Sequence, residues 1–256
     1  RRTKIIRDDS NLDVEDLIAE EDLIVTVTHQ GYIKRLPVDT YRSQRRGGRG
    51  ITAISNKNED FVEQLFVTST HNYVLFFTNQ GRVHRLKGHE IPEAGRNARG
   101  VAAVNLIHLE PGERIEATIP ISDFSDDWYL VMATKQGMVK KTALNEYDSS
   151  RAGLIGISLL DDDEVVSVRL TDGNQEIILT TAEGQSIRFA EEQVRPMGRN
   201  TRGVKGITLE EDDYVVGMDI VSNGEDLLIV TENGYGKRTS IDESRITNIG
   251  GKGVRT

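Results

Sequence analysis

The chain has 256 residues, no cysteine and a formal net charge of −9. Without cysteine there is neither a disulfide framework nor a thiolate metal site, which suits a reducing cytoplasm, and no apolar run approaches the roughly 20 residues needed to span a bilayer. Taken as one number, the acidity argues against a polyanionic partner; its distribution along the chain reverses that reading.

Residues 1–20 are polar and acidic, with Asp8, Asp9, Asp13, Glu15 and Asp16. They read as a linker, with a short helical turn over 14–19, ahead of a β domain spanning 21–256. No signal peptide is visible and the first residue is Arg1 rather than Met, as expected of a piece of a longer protein.

From residue 23 onward the chain repeats itself. Thr-x-x-Gly with a Lys or Arg four residues after the glycine, usually the second of a basic pair, recurs five times, with its glycine at Gly31, Gly81, Gly137, Gly184 and Gly234, in steps of 50, 56, 47 and 50 residues. A second landmark follows at Gly50, Gly100, Gly153, Gly203 and Gly253, 19 residues on in four repeats and 16 in the third. A fixed internal offset within a period of this size is the signature of a repeat architecture.

The first repeat predicts strands over 23–28 and 32–36 around a glycine turn, then 51–54 and 61–68. The second predicts 73–77, 83–86, 101–109 and 114–119. The fourth predicts 176–180, 186–189, 204–209 and 214–220. The fifth has its hairpin, 227–230 and 236–239, and its glycine loop, but not the second strand pair, so its blade is expected to be incomplete. Four-stranded units repeated in this way predict an all-β, propeller-like architecture in which each blade covers its faces with its neighbours.

Between the two landmarks of the first repeat lies Gln44-Arg45-Arg46-Gly47-Gly48-Arg49-Gly50. Three arginines and three glycines in seven residues make a poor helix and a poor strand. They read as a loop whose bare backbone approaches an anionic ligand while the guanidinium groups supply charge; the alternative is a solvated surface loop.

Charge follows the repeat. The windows 31–52, 81–102, 137–155, 184–205 and 234–255 hold 24 of the 32 Lys and Arg but only 9 of the 41 Asp and Glu, a net charge of +15 against −24 for the rest. Candidate DNA contacts from the basic pairs are Lys34, Arg35, Arg82, Arg85, Lys140, Lys141, Lys237 and Arg238. The acidic turns 110–113, 161–164 and 210–213 are expected to lie away from this basic stripe. Few aromatics interrupt the windows, so duplex backbone contacts fit better than stacking on single strands. Such contacts along a curved edge would bend the DNA, with weak sequence preference.

Chemistry has little support. His29, His71, His84, His89 and His108 show no metal-ligand spacing, and 161–164 lacks the spacing of a calcium loop. No phosphate-binding loop precedes a helix. His29 and His71 read as turn residues. Tyr41 reads as a packing or backbone-contact residue, since no acidic metal site for strand cleavage accompanies it.

The heptapeptide ending at Gly50 resembles the signature box of the C-terminal domain of DNA gyrase A subunits. Gly31-Tyr32-Ile33-Lys34-Arg35 and Tyr41-Arg42-Ser43 before it are similar to that family, as are Tyr235-Gly236-Lys237-Arg238-Thr239 and Gly250-Gly251-Lys252-Gly253. The resemblance covers essentially the whole chain and implies a β-pinwheel of blades that exchange strands, typically six, of which about five are seen here.

It also implies that duplex DNA wraps a basic perimeter with positive handedness, enabling ATP-dependent strand passage to introduce negative supercoils. The wrapping element would be Gln44, Arg45, Arg46, Gly47, Gly48, Arg49 and Gly50. Arg96, Arg99, Arg151, Arg199, Arg202, Lys205, Lys252 and Arg255 would carry DNA around the other blades. ATP and Mg2+ would be used by an A2B2 holoenzyme with gyrase B, in the bacterial cytoplasm at the nucleoid, with no cofactor in this chain. Residues 1–7 look like the exit from the breakage-reunion region. The related domain of topoisomerase IV, whose box is degraded or absent, and a protein-interaction propeller are the alternatives.

Overall fold

The computed structural model of the protein describes residues 14–40, 60–221 and 226–255. Its regular structure is strand and short 3-10 turns, and the helical turn expected near the start is the 3-10 turn Val14–Leu17. The strand expected over 51–54 lies outside the described residues.

In chain order the strands are β1 (Asp22–Thr28), β2 (Tyr32–Pro37), β3 (Val62–Ser69), β4 (Tyr73–Thr78), β5 (Arg82–Lys87), β6 (Val101–Ala102), β7 (Ile115–Ile121), β8 (Tyr129–Thr134) and β9 (Met138–Ala143). They continue as β10 (Leu154–Ile155), β11 (Val165–Thr171), β12 (Glu176–Thr181), β13 (Gln185–Ala190), β14 (Val204–Lys205), β15 (Val215–Ile220), β16 (Asp226–Val230), β17 (Gly236–Ser240) and β18 (Val254–Arg255).

The Thr-x-x-Gly phrase has a local cause. The Thr28 hydroxyl accepts a hydrogen bond from the Tyr32 amide at 3.1 Å, and Thr78, Thr134 and Thr181 accept from Arg82, Met138 and Gln185 in the same way. The glycine between them sits at positive φ, for example +77° at Gly31 and +82° at Gly137, where a side chain would be strained. Each of these four hairpin turns is thus closed by one hydroxyl and one glycine at positive φ, while in the fifth the Thr231 hydroxyl instead donates to Tyr235 O at 3.3 Å.

Four sheets have four strands each, in the orders β3-β1-β2-β6, β10-β5-β4-β7, β11-β8-β9-β14 and β15-β12-β13-β18. The strand beside the hairpin's second arm always comes from the next repeat. Val101 and Ala102 pair with Ile33 and Tyr32, Val204 and Lys205 with Val139 and Met138, and Val254 and Arg255 with Ser186 and Gln185. This corrects the expected four strands per repeat: the strands predicted over 101–109 and 204–209 shrink to two residues and are handed to the preceding blade. Exchange of strands, implied by the resemblance, is what the pairing contains.

Two compact units result. One combines Arg1–Tyr73 with Leu86–Ala102, because the second repeat's loop docks on the first hairpin; the other combines Val74–Arg85 with Ala103–Thr256. The first unit holds one blade. Its central strand β1 is buried from Leu23 to Thr28 on both faces, whereas the outer strand β3 alternates and leaves Leu65 and Val67 exposed.

The second unit holds three blades and the hairpin β16–β17. Between its third- and fourth-repeat blades, Val131, Ala133 and Val139 pack with Ile177, Leu179, Ile187, Phe189, Val215 and Met218. Each such side chain removed from water stabilises the fold by about 1.5–3 kcal/mol. The β16–β17 pair forms a sheet of its own and exposes Leu228, Val230 and Tyr235.

Candidate nucleic-acid interface

The loop between the hairpin and the exchanged strand is built the same way in several repeats. It first docks alongside the preceding hairpin: the Arg35 amide donates to Pro92 O and its carbonyl accepts from Ala94, and the Lys141 and Arg188 carbonyls accept from Met197 and Thr247. It then bulges, and returns at the second landmark glycine. At Gly100 and Gly203, with φ of +95° and +87°, an added Cβ would run into the carbonyls of Ile33 and Val139. The landmark glycines therefore allow close approach to a neighbouring backbone. The equivalent box residues Gln44, Arg45, Arg46, Gly47, Gly48, Arg49 and Gly50 lie outside the described residues.

The bulges carry exposed cations. Arg96, Arg151, Arg202, Lys205, Lys252 and Arg255 are exposed, as are Arg195 and Arg245, which the sequence reading counted as charge without assigning them to the interface. Arg99 and Arg199 are half-buried. The Arg99 guanidinium lies over the Tyr32 ring, 4.2 Å from its centroid, and donates to Gln30 Oε1 at 2.9 Å. Arg199 donates to the Ile155 carbonyl at 3.3 Å.

The basic pairs behave otherwise. Lys34, Lys140 and Lys141 were expected at a DNA-facing surface, and the structure corrects this: all three are buried. Lys34 Nζ donates to the carbonyls of Arg96 (2.7 Å), Ala98 (2.8 Å) and Gly95 (3.4 Å). Lys140 Nζ donates to the carbonyls of Gly156 and Arg199. Lys141 Nζ donates to the Glu191 carbonyl and stands 3.7 Å from its carboxylate. Burial holds the ammonium of Lys34 below the usual lysine range and pushes that of Lys140 down to about 7, with Arg199 adding to the effect and Glu146 opposing it.

The second members cap turns of the following repeat. Arg35 Nε donates to Ile91 O at 2.6 Å. Arg188 Nη1 donates to Ile241 O and Ser244 O, and Arg85 pairs with Asp148 at 3.0 Å. Lys237 and Arg238 are exposed, Arg238 standing 3.3 Å from Asp226.

The acidic turns do not lie away from the cations. Arg82 bonds Glu110 and the buried Glu113 at 3.3 Å each, Lys252 bonds Glu210 at 3.2 Å, and Arg99 Nε is 3.7 Å from the buried Asp60. The reason is a second use of these carboxylates as turn caps: Asp60, Asp163 and Asp213 accept from the hairpin amides of Gln30, Gln136 and Glu183. They had to come beside the basic hairpins to do so.

His84 is buried at the position where Lys34 and Lys140 act, and its Nε2 has no hydrogen-bond partner among the described residues. Burial, reinforced by Arg82, holds its pKa below the usual histidine value. His29 stacks on Phe61 at 4.8 Å and His71 bonds Ile18 O, consistent with turn roles.

Comparison with known proteins places these features. The family model described as DNA gyrase C-terminal domain, beta-propeller, matches residues 22–69, 72–122, 129–172, 175–222 and 225–256. These are the five repeats. The DNA gyrase A subunit of Clostridium acetobutylicum is 58% identical over 257 residues, covering all of this chain and 31% of that protein. The corresponding protein of Mycolicibacterium smegmatis is 47% identical over 259 residues, again covering all of this chain and 31% of that protein.

This chain thus spans about a third of the length of the curated relatives it matches. Among solved structures, the C-terminal domain of DNA topoisomerase IV superposes with a TM-score of 0.80 at 33% identity, over 93% of this chain and 73% of that one. A DNA gyrase A C-terminal domain superposes with a TM-score of 0.73 at 29% identity, over 91% and 76%. With all five repeats matched and their blades built by strand exchange, this chain belongs to the DNA gyrase C-terminal domain, beta-propeller family.

Proposed function

We propose that this chain is the DNA-binding and DNA-wrapping module of a gyrase, without an active site of its own. The observation that carries the reading is the recurrence of exposed cations on the bulges: Arg202 and Lys205 of the fourth repeat stand at the same places as Lys252 and Arg255 of the fifth, and Arg96 and Arg151 are exposed on the bulges of the second and third. Exposed guanidinium and ammonium groups suit the phosphates of a duplex and read no bases, so binding is independent of sequence. Acidic neighbours such as Glu210 beside Lys252 keep the body net negative and limit indiscriminate adhesion.

In this reading residues 1–20 are the linker from the breakage-reunion region. The chain works with that region and with gyrase B in an A2B2 holoenzyme of the bacterial cytoplasm, at the nucleoid. ATP and Mg2+ are used outside this chain. Wrapping has positive handedness, and the box from Gln44 to Gly50 is its first contact. Among the described residues no helix is long and apolar enough to cross a membrane.

Fluorescence anisotropy with a mixed-sequence duplex tests the reading. Binding should be tight at low salt and weaken steeply, with log K falling by about 0.9 per log unit of salt for each phosphate neutralised. A chain that binds no duplex at low salt is a protein-interaction propeller instead. The similarity to a topoisomerase IV C-terminal domain makes the equivalent module of that enzyme the second reading, and DNA topology separates the two.

A further inference from the structure

The third residue after each hairpin glycine is Lys34, His84, Lys140, Ile187 and Lys237 in turn. At two of these positions a fully buried lysine reaches the inner side of the next repeat's bulge. Lys34 directs its ammonium at the carbonyls of Gly95, Arg96 and Ala98, and Lys140 directs its own at Arg199 O and Gly156 O. The residues whose carbonyls are held include Arg96 and Arg199, which belong to the cationic bulges. An ammonium has three donors and no acceptor. At Lys34 three bulge carbonyls converge on one such group and fix the backbone from beneath; at Lys140 the bulge carbonyl of Arg199 is tied to Gly156 O of the lysine's own repeat through one ammonium.

We propose that Lys34 and Lys140 are positioning residues for DNA binding. Each sets the shape of the bulge in the following repeat, so that Arg96 with Arg99, and Arg199 with Arg202, are held ready for phosphates. The inference rests on the DNA-binding reading above.

The other positions support it by contrast. His84 is buried with a ring nitrogen lacking a partner among the described residues, and the bulge it faces is the one shortened by three residues. Ile187 offers no donor. The bulge it faces keeps only bonds that other repeats also make: Arg188 to Ile241 O and Ser244 O, as Arg35 bonds Ile91 O, and Thr208 to Gly250 O and Gly251 O, as Ser158 bonds Asn200 O and Thr201 O. The lysine clasp is thus an addition to that shared set, made at Lys34 and Lys140 and missing at Ile187.

Preorganisation lowers the cost of ordering side chains on binding, which gives a measurable effect. In the 256-residue chain, Lys34→Met keeps the length of the stem and removes the donors. Hydrogen exchange without DNA should quicken in peptides covering 95–100 and remain unchanged in those covering 198–203; Lys140→Met should do the reverse. Duplex affinity should fall about tenfold in either variant.

The effect of Lys34→Met should vanish in an Arg96→Ala/Arg99→Ala background, because the lysine acts through those arginines. Lys34→Gln, which restores two donors, should recover most of both readouts and stands in if the methionine variant does not fold. Unchanged exchange in 95–100, or an affinity loss that adds in full to that of the arginine variant, overturns the proposal. Failure of the unsubstituted chain to bind duplex overturns the DNA reading, and with it the lysines' role in binding, while the exchange arm separately judges the loop clasp.

Discussion

Lys34 and Arg35 are adjacent and formally identical in charge, yet their surroundings differ. In a strand, neighbours point to opposite faces, so Lys34 enters the blade and meets the carbonyls of a loop some 60 residues on, while Arg35 caps the turn that begins that loop. The sequence shows charge but not burial, because what buries Lys34 is the return of the next repeat.

The same position makes a pH prediction at Lys140. Its ammonium faces Arg199 and Glu146 among charged groups, with buried Tyr147, whose hydroxyl burial pushes well up, nearby. The folded-state pKa is about 7 against 10.5 unperturbed. Below pH 7 both states hold the proton and the cost of burying charge is fully present. Above it the unfolded state binds more protons, so stability rises with pH up to about 10, by at most about 1.4 kcal/mol per unit. Denaturant unfolding at pH 6 and pH 9 should show the unsubstituted chain gaining on Lys140→Met by that route. A difference independent of pH would contradict the burial of a charged lysine.

At the scale of elements, the hairpins were fully legible. The period-two runs, the Thr-x-x-Gly turn and the 50-residue step placed β1 with β2, β4 with β5, β12 with β13 and β16 with β17 to within a residue or two, because the turn's hydrogen bonds and the positive-φ glycine act locally. The exchanged strands were not legible. Val101 and Val204 continue apolar patterns that read as long strands, but only two residues of each pair, and they pair backwards.

The exchanged pairing brings Gly203 so close to the Val139 carbonyl that no Cβ fits there. Gly203→Ala should therefore destabilise by at least about 2 kcal/mol, through strain at positive φ and the backbone collision. Gly217→Ala, with open space around the added methyl, should change stability by less than about 0.5 kcal/mol. Equal effects in thermal unfolding would refute this account of the second landmark.

For the molecule as a whole, the −9 net charge conceals two populations of side chains. The acidic turns serve the hairpins as caps, which brings Asp60 and Glu113 close to Arg99 and Arg82. Exposed cations gather on the bulges, where Arg195 and Arg245 add to the expected set, while Lys237 and Arg238 are exposed on β17. The site was legible as a set of loops and only partly as a set of residues, since the buried lysines had to be subtracted from it.

In the proposed wrapping a duplex that follows these bulges would be bent, at a cost on the order of several kcal/mol that the added phosphate contacts would offset. The handedness of that path is the central claim. Ligation of nicked circular DNA in the presence of the chain, followed by removal of protein, reads it directly. The account predicts a shift to positive linking number that is lost in Arg45→Ala/Arg46→Ala/Arg49→Ala. Circles whose linking number is unchanged by saturating amounts of the unsubstituted chain would contradict it.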